Sequence, residues 1–183
     1  MRYVSTRGGP AVGIEKAIMG GTADDGGLYV PDELPAIQPG AFGRTGEFPA
    51  TAARFLEPFF AGSSLAGRLP QICRAALNFP LPLRQLESAH GSLAVLELFH
   101  GPTAAFKDVG ARFLAHCMEQ IISDGVFATA PVTVLVATSG DTGGAVASAG
   151  RSPRPARRGR PPFPGARNGT DGSTPARLRG GRW

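Results

Sequence analysis

Two apolar runs, each followed by a tight turn and then a helical pattern, leave this chain few folds to choose from. The first run is Leu93-Ala94-Val95-Leu96-Glu97-Leu98-Phe99, which reads as a buried strand ending at the turn His100-Gly101-Pro102. From Thr103 the period changes. Phe106, Val109, Phe113, Leu114, Cys117, Ile121 and Ile122 recur at helical spacing. Thr103 suits the N-cap of that helix and Gly125 its end. The second run, Val132-Thr133-Val134-Leu135-Val136-Ala137, is β-branched and apolar on both faces, as in the interior of a parallel sheet. It leads through Thr138-Ser139-Gly140-Asp141-Thr142-Gly143-Gly144 into a small-residue helix beginning at Ala145. Strand, helix, strand, glycine turn, helix is a βαβα series. The expected class is therefore α/β, with ligands held by the short loops at the carboxyl ends of the strands.

The first of those loops carries Lys107. The chain has only two lysines, Lys16 and Lys107. Lys107 follows the first apolar run, has Phe106 and Val109 beside it, and falls near a helix N-terminus. Desolvation and the positive end of the helix dipole both disfavour the ammonium form there. A neutral amine can attack a carbonyl to form a Schiff base, as in pyridoxal phosphate (PLP) enzymes. On these residues alone, a solvated lysine in a first helical turn is the commoner case, because most lysines are surface residues. The second loop, Ser139-Gly140-Asp141-Thr142-Gly143, offers backbone N–H groups and two hydroxyls at a helix start, which suits a carboxylate or phosphate. A well-capped turn with Asp141 as the capping residue also fits.

Charge divides the chain sharply. Residues 1–150 hold ten Lys and Arg against thirteen Asp and Glu, whereas residues 151–183 hold nine Arg against the single acid Asp171. The body is a mildly acidic domain, and any attraction to a polyanion belongs to the tail. That tail is rich in Arg, Pro and Gly, and its only large hydrophobics are Phe163, Leu178 and Trp183. It cannot bury enough surface to order itself, so disorder is expected. The first residues contain no secretory h-region, and no run is long enough for a membrane span. Cys73 and Cys117 have no metal-ligand spacing and read as reduced and buried, in a cytoplasmic setting.

Along residues 1–85 the signals describe a small N-terminal subdomain. A short extended start at Tyr3-Val4-Ser5 precedes a helix through Ile14, Ala17 and Ile18, ended by Gly20 and Gly21. Leu28-Tyr29-Val30 reads as a strand stopped by Pro31. Two helices follow between residues 50 and 78. Pro58 must kink or break the first, and Pro70 suits the first turn of the second. Pro80 and Pro82 read as a hinge into the next unit.

The two loops together are more specific than either alone. The Glu97, Thr103, Phe106, Lys107 and Asp108 pattern, followed by Ala137-Thr138-Ser139-Gly140-Asp141-Thr142-Gly143, resembles PLP-dependent enzymes of the tryptophan-synthase-β type (fold type II), and within them threonine synthase. Tyr3-Val4-Ser5-Thr6-Arg7-Gly8 and Asp25-Gly26-Gly27-Leu28-Tyr29-Val30-Pro31 also resemble threonine synthase N-termini. The resemblance covers residues 1 to about 149. It implies the conversion of O-phospho-L-homoserine and water to L-threonine and phosphate. It further implies that Lys107 carries PLP, and that Ser139, Gly140, Asp141, Thr142 and Gly143 bind the substrate carboxylate and the O3′ side of the cofactor ring. No metal is expected, because Cys and His show no metal-ligand spacing. Sister enzymes usually carry Asn where Asp141 stands, which favours threonine synthase over a threonine/serine dehydratase-like lyase. His100 could orient the lysine turn or be a plain turn residue, and Arg7 and Arg112 are weaker candidates for a substrate phosphate. His90 and His116 have no partners at ligand spacing, and Tyr29 reads as core.

The resemblance also implies segments that this chain does not carry after Ala149, including a later glycine-rich loop for the cofactor phosphate. The expectation is a truncated fold type II chain: an N-terminal subdomain over 1–85, a partial PLP-dependent catalytic domain over 86–150, and a tail over 151–183 that reads as a shifted frame of GC-rich DNA. Such a chain is expected to bind PLP poorly and turn over no substrate, with an open sheet edge prone to aggregation. A third reading, a non-catalytic fragment whose basic tail binds nucleic acid, rests on those tail arginines alone.

Overall fold

Proline and glycine set most of the element boundaries. Helix α1 (Ile14–Gly20) stops at Gly21, whose φ of 70° no β-carbon-bearing residue adopts easily. Helix α2 (Phe48–Leu56) has a proline in its first turn and ends just before Pro58, where the chain tightens into a 3-10 turn over Glu57–Phe60. A second such turn, Ala66–Arg68, feeds helix α3 (Leu69–Ala76), with Pro70 in its first turn. Helix α4 (Lys107–Ser123) closes at Gly125, whose φ is 72°. Helix α5 (Asp141–Ala149) follows the glycine turn. The computed structural model describes residues 1–38, 40, 46–87, 91–125, 132–138 and 140–150. Two units contain them: Met1–Asn78 with His116–Phe127, and Phe79–Ala115 with Ala128–Trp183.

In the first unit, strands β1 (Tyr3–Ser5) and β2 (Tyr29–Pro31) pair antiparallel, with Val4 opposite Val30. The Asp25 carboxylate fixes this pair. It accepts hydrogen bonds from Ser5 Oγ (2.7 Å), Gly27 N (2.9 Å) and Gly9 N (3.1 Å). The Ser5 hydroxyl, then the Gly27 amide, hold its pKa below the ordinary Asp value. A β-carbon on Gly27 would collide with Ser5 Oγ, so a glycine is required there. The two N-terminal stretches singled out in the sequence are thus halves of one structure. The core of this unit is helical. Leu65, Leu69, Ile72, Cys73, Ala76, Cys117 and Ile121 are all buried, and α2 packs on α3. Arg68 pairs with Asp124 at 2.7 Å.

The second unit corrects the sequence reading in two places. A strand does form at Leu93–Leu96 (β4), but its partner is Leu83–Leu86 (β3), and the pairing is an antiparallel hairpin with Leu83 opposite Leu96 and Leu86 opposite Leu93. Pro80 and Pro82 precede a strand that their ring constraints had hidden. Side chains alternate across a strand, so Leu83 and Leu96 share one face while Leu86, Leu93 and Val95 share the other. All five are exposed, not buried as the run of apolar residues suggests. The second correction is Val132–Ala137. It forms no strand, because it has no ladder partner among the described residues, and Leu135 is 74% exposed. A strand is a property of a pair, and this segment has only the sequence half of one. Among the described residues both sheets are two-stranded and antiparallel. No helix of the described residues is long and apolar enough to cross a membrane. The tail, 151–183, and the expectations placed on it lie outside the described residues.

Candidate active site

The Gly101–Asp108 segment is wound around one buried carboxylate. Asp108 is 0% exposed. Its Oδ2 accepts the backbone N–H of Thr103 at 2.8 Å, and its Oδ1 accepts the Thr103 hydroxyl at 2.7 Å. Both oxygens are therefore used by a single residue five positions back. Thr103 is not the helix N-cap that the sequence suggested: α4 starts at Lys107, and the threonine instead clamps the turn from below. Gly101 packs against the same carboxylate, and a β-carbon there would lie 2.8 Å from Asp108 Cβ. Ala104 takes a φ of 57°, the left-handed conformation that costs a non-glycine residue on the order of 1–2 kcal/mol. The Ala104 amide donates to the Gly101 carbonyl and the Asp108 amide to that of Ala105, so the loop is closed by its own backbone.

Lys107 is held at the first helical position by this loop. It is half-buried, and its Nζ lies 4.4 Å from the centroid of the Phe106 ring, a cation–π distance. Among the described residues the amine makes no hydrogen bond or ion pair. Upstream, His100 Nε2 and Glu97 Oε2 are 2.6 Å apart, and Arg84 Nε lies 3.5 Å from the other Glu97 oxygen. The His100 hydrogen bond, with help from Arg84, holds the Glu97 carboxyl below the usual range. His100 thus pairs with Glu97, and its ring stacks near Phe99 with centroids 4.6 Å apart.

The glycine turn is organised by Thr138, to which the sequence reading gave no role of its own. Its Oγ1 accepts the amides of Gly140 (3.1 Å) and Gly143 (3.2 Å), taking the place of an N-cap for α5. A β-carbon on Gly143 would strike Thr138 Cγ2, which explains that glycine. The hydroxyl at the turn's entry, five residues before a glycine, was the available signal. The amides of Asp141 and Thr142 have no hydrogen-bond partner among the described residues. Among the described residues of the turn, these are the donors left for a ligand at the helix start. Asp141 is exposed, and Thr142 and Gly143 are half-buried. Ser139 lies outside the described residues, as does His90. No described hydrogen bond or ion pair joins Lys107 to Gly140, Asp141, Thr142 or Gly143. Arg7 donates instead to the Asp25 carbonyl at 3.2 Å, and Arg112 lies 5.9 Å from the Phe79 ring. Among the described residues no cluster of three or more His, Cys, Asp or Glu side chains could hold a metal ion.

Comparison with known proteins gives this geometry a context. Residues 2–77 match the family described as Threonine synthase N terminus. Threonine synthase from Pseudomonas aeruginosa is 39% identical over 153 residues, which are 79% of this chain and 31% of that protein. The crystal structure of threonine synthase from Escherichia coli superposes with a TM-score of 0.72 at 36% identity, covering 82% of this chain and 34% of the other. PLP-bound threonine synthase from Brucella melitensis gives a TM-score of 0.69 at 38% identity, covering 81% and 32%. The chain spans about a third of the length of the curated relatives it matches.

Proposed function

On the premise that this chain resembles threonine synthases along most of its length and carries their N-terminal domain over residues 2–77, we propose that its Lys107 belongs to a site of the kind that converts O-phospho-L-homoserine and water to L-threonine and phosphate, with the chain by itself expected to bind PLP weakly and turn over no substrate. PLP, when bound, supplies the electron sink for loss of the α- and β-protons of the amino acid. Lys107 would hold the cofactor through its side-chain amine and, as a free amine, would move protons between Cα and Cβ of the substrate. Ser139 and the Asp141 and Thr142 amides would hold the substrate carboxylate and the O3′ side of the ring, with Gly140 and Gly143 shaping the turn that presents them. Phosphate leaves the γ-carbon and water adds at the β-carbon, the reaction of a carbon–oxygen lyase. The partner is a small molecule, and two free, buried cysteines suit a cytoplasmic setting.

The observation that carries this reading is the placement of Lys107: a half-buried amine, free of ion pairs among the described residues, at a turn fixed by a buried carboxylate. The residues present suit the cofactor. A primary amine is available for its carbonyl, and the Asp141 and Thr142 amides can donate hydrogen bonds to an anionic oxygen.

The test is an absorbance spectrum of the purified chain with added PLP, with and without Lys107→Ala. A band near ~410–430 nm that disappears in the variant is the expected result. No band, or one that survives the substitution, would overturn the assignment.

A further inference from the structure

In the second unit the Asp108 carboxylate lies next in sequence to the lysine. It is fully buried, and both its oxygens are spent on Thr103, one on the amide and one on the hydroxyl. Gly101 is packed so tightly against it that no larger residue fits. Between those two contacts the chain passes through Ala104 in a left-handed conformation. A carboxylate that served only to cap α4 would accept amides from the helix's own first turn and could remain in solvent. This one reaches backward, out of the helix, and sits in the interior of the loop. Removing the Thr103 donors would leave a buried carboxyl group without its described partners, so the loop is held by a strong restraint. The residue whose position that restraint fixes is the adjoining one, Lys107, joined to Asp108 by one rigid peptide.

We propose that Asp108 and Thr103 form a clamp that positions the Lys107 amine for reaction with a carbonyl, Asp108 being a positioning residue that touches neither substrate nor cofactor. This rests on the reading of Lys107 given above. The carboxylate is buried, with one oxygen on each of the two Thr103 donors. Its effect is to keep the lysine stem from sampling other directions, which lowers the ordering cost of each encounter with a carbonyl.

The chain contains its own control. Lys16 is its only other lysine, and it is half-exposed and weakly paired with Asp24 at 3.8 Å. The experiment treats the full chain with PLP, traps the adduct with borohydride, and measures the labelled fraction at Lys107 and Lys16 by peptide mass spectrometry. The readout is the ratio of the two initial rates. Asp108→Asn is expected to lower that ratio about tenfold. Thr103→Val, which keeps the shape and the backbone donor but loses the hydroxyl, is expected to lower it by a smaller factor, and Thr103→Ser to restore it. Far-UV circular dichroism identifies any variant that fails to fold. If Asp108→Asn does so, the Thr103 pair decides. A clamp acting only on stability would change the melting temperature and leave the ratio of the folded protein unmoved. An unchanged ratio in folded Asp108→Asn or Thr103→Val overturns the inference. An unsubstituted chain labelled at Lys16 and not at Lys107 overturns the reading of Lys107 itself, and the inference with it. The two failures are therefore distinguishable.

Discussion

The helices of the first unit and the hairpin of the second are made from similar residues and end in opposite environments. Leu69 is 1% exposed, whereas Leu93 is 51% exposed. Both belong to apolar runs with a clear period. In the first unit the period matches a neighbour: α3 meets α2, and the stripe Leu69, Ile72, Cys73 and Ala76 disappears into the core. In the second unit the hairpin carries leucines on both faces, the pattern of a strand covered on both sides, with neither face covered by described residues. Periodicity reports which side chains gain from burial. It does not report whether a surface is there to bury them.

The sharpest way to test this contrast is a matched pair of truncations. Leu69→Ala is expected to destabilise its unit by about 2–5 kcal/mol, through lost transfer energy and a residual cavity. Leu93→Ala should change stability by no more than about 0.5 kcal/mol, because little contact is lost. Urea melts of both would check this, and similar losses would mean that the hairpin is covered in solution. Next in size is Thr138→Val, which removes the acceptor for two amides at the start of α5. It should cost about 1 kcal/mol and lower hydrogen-exchange protection within that helix, leaving α3 unaffected.

A smaller effect follows from acid. The Asp25 pKa is lowered from 3.8 by its hydrogen bonds to Ser5, Gly27 and Gly9. Its contribution is therefore complete above pH ~4 and is lost as pH falls through the lowered folded value. A pH series of amide chemical shifts for Ser5, Gly9 and Gly27 should show loosening in that window, and Asp25→Asn should abolish the dependence. The smallest change in stability concerns the buried thiols. Burial pushes Cys73 up to about 11 and Cys117 up to about 12. The reactive species is the thiolate, so both should resist alkylation by iodoacetamide at neutral pH until the first unit is unfolded. Rapid labelling of the native chain would show that this core opens readily.

Much of the fold was legible because glycine and proline act through local sterics, which a sequence displays directly. Gly21, Pro58, Pro70 and Gly125 each end or begin a helix where their chemistry requires it. The two candidate loops were legible for the same reason, through their glycines and the unusual lysine. What escaped notice depends on partners. Strand β3 was masked by the prolines before it, and Val132–Ala137 carries every residue preference of a strand without a ladder to join. Thr103 was read as a cap for the helix ahead, and it serves the carboxylate of Asp108 instead. Thr138 was given no role of its own because one hydroxyl before a glycine turn is common, and its two hydrogen bonds exist only once the turn has closed.

The Asp25 network has a consequence for the order of events during synthesis. All its members lie between Ser5 and Gly27, so every loop it closes is short and the entropy of closure is small. None of those bonds waits for a residue later in the chain. During synthesis β1 can meet β2 before α2 has been made, so these hydrogen bonds are available before the later helices form.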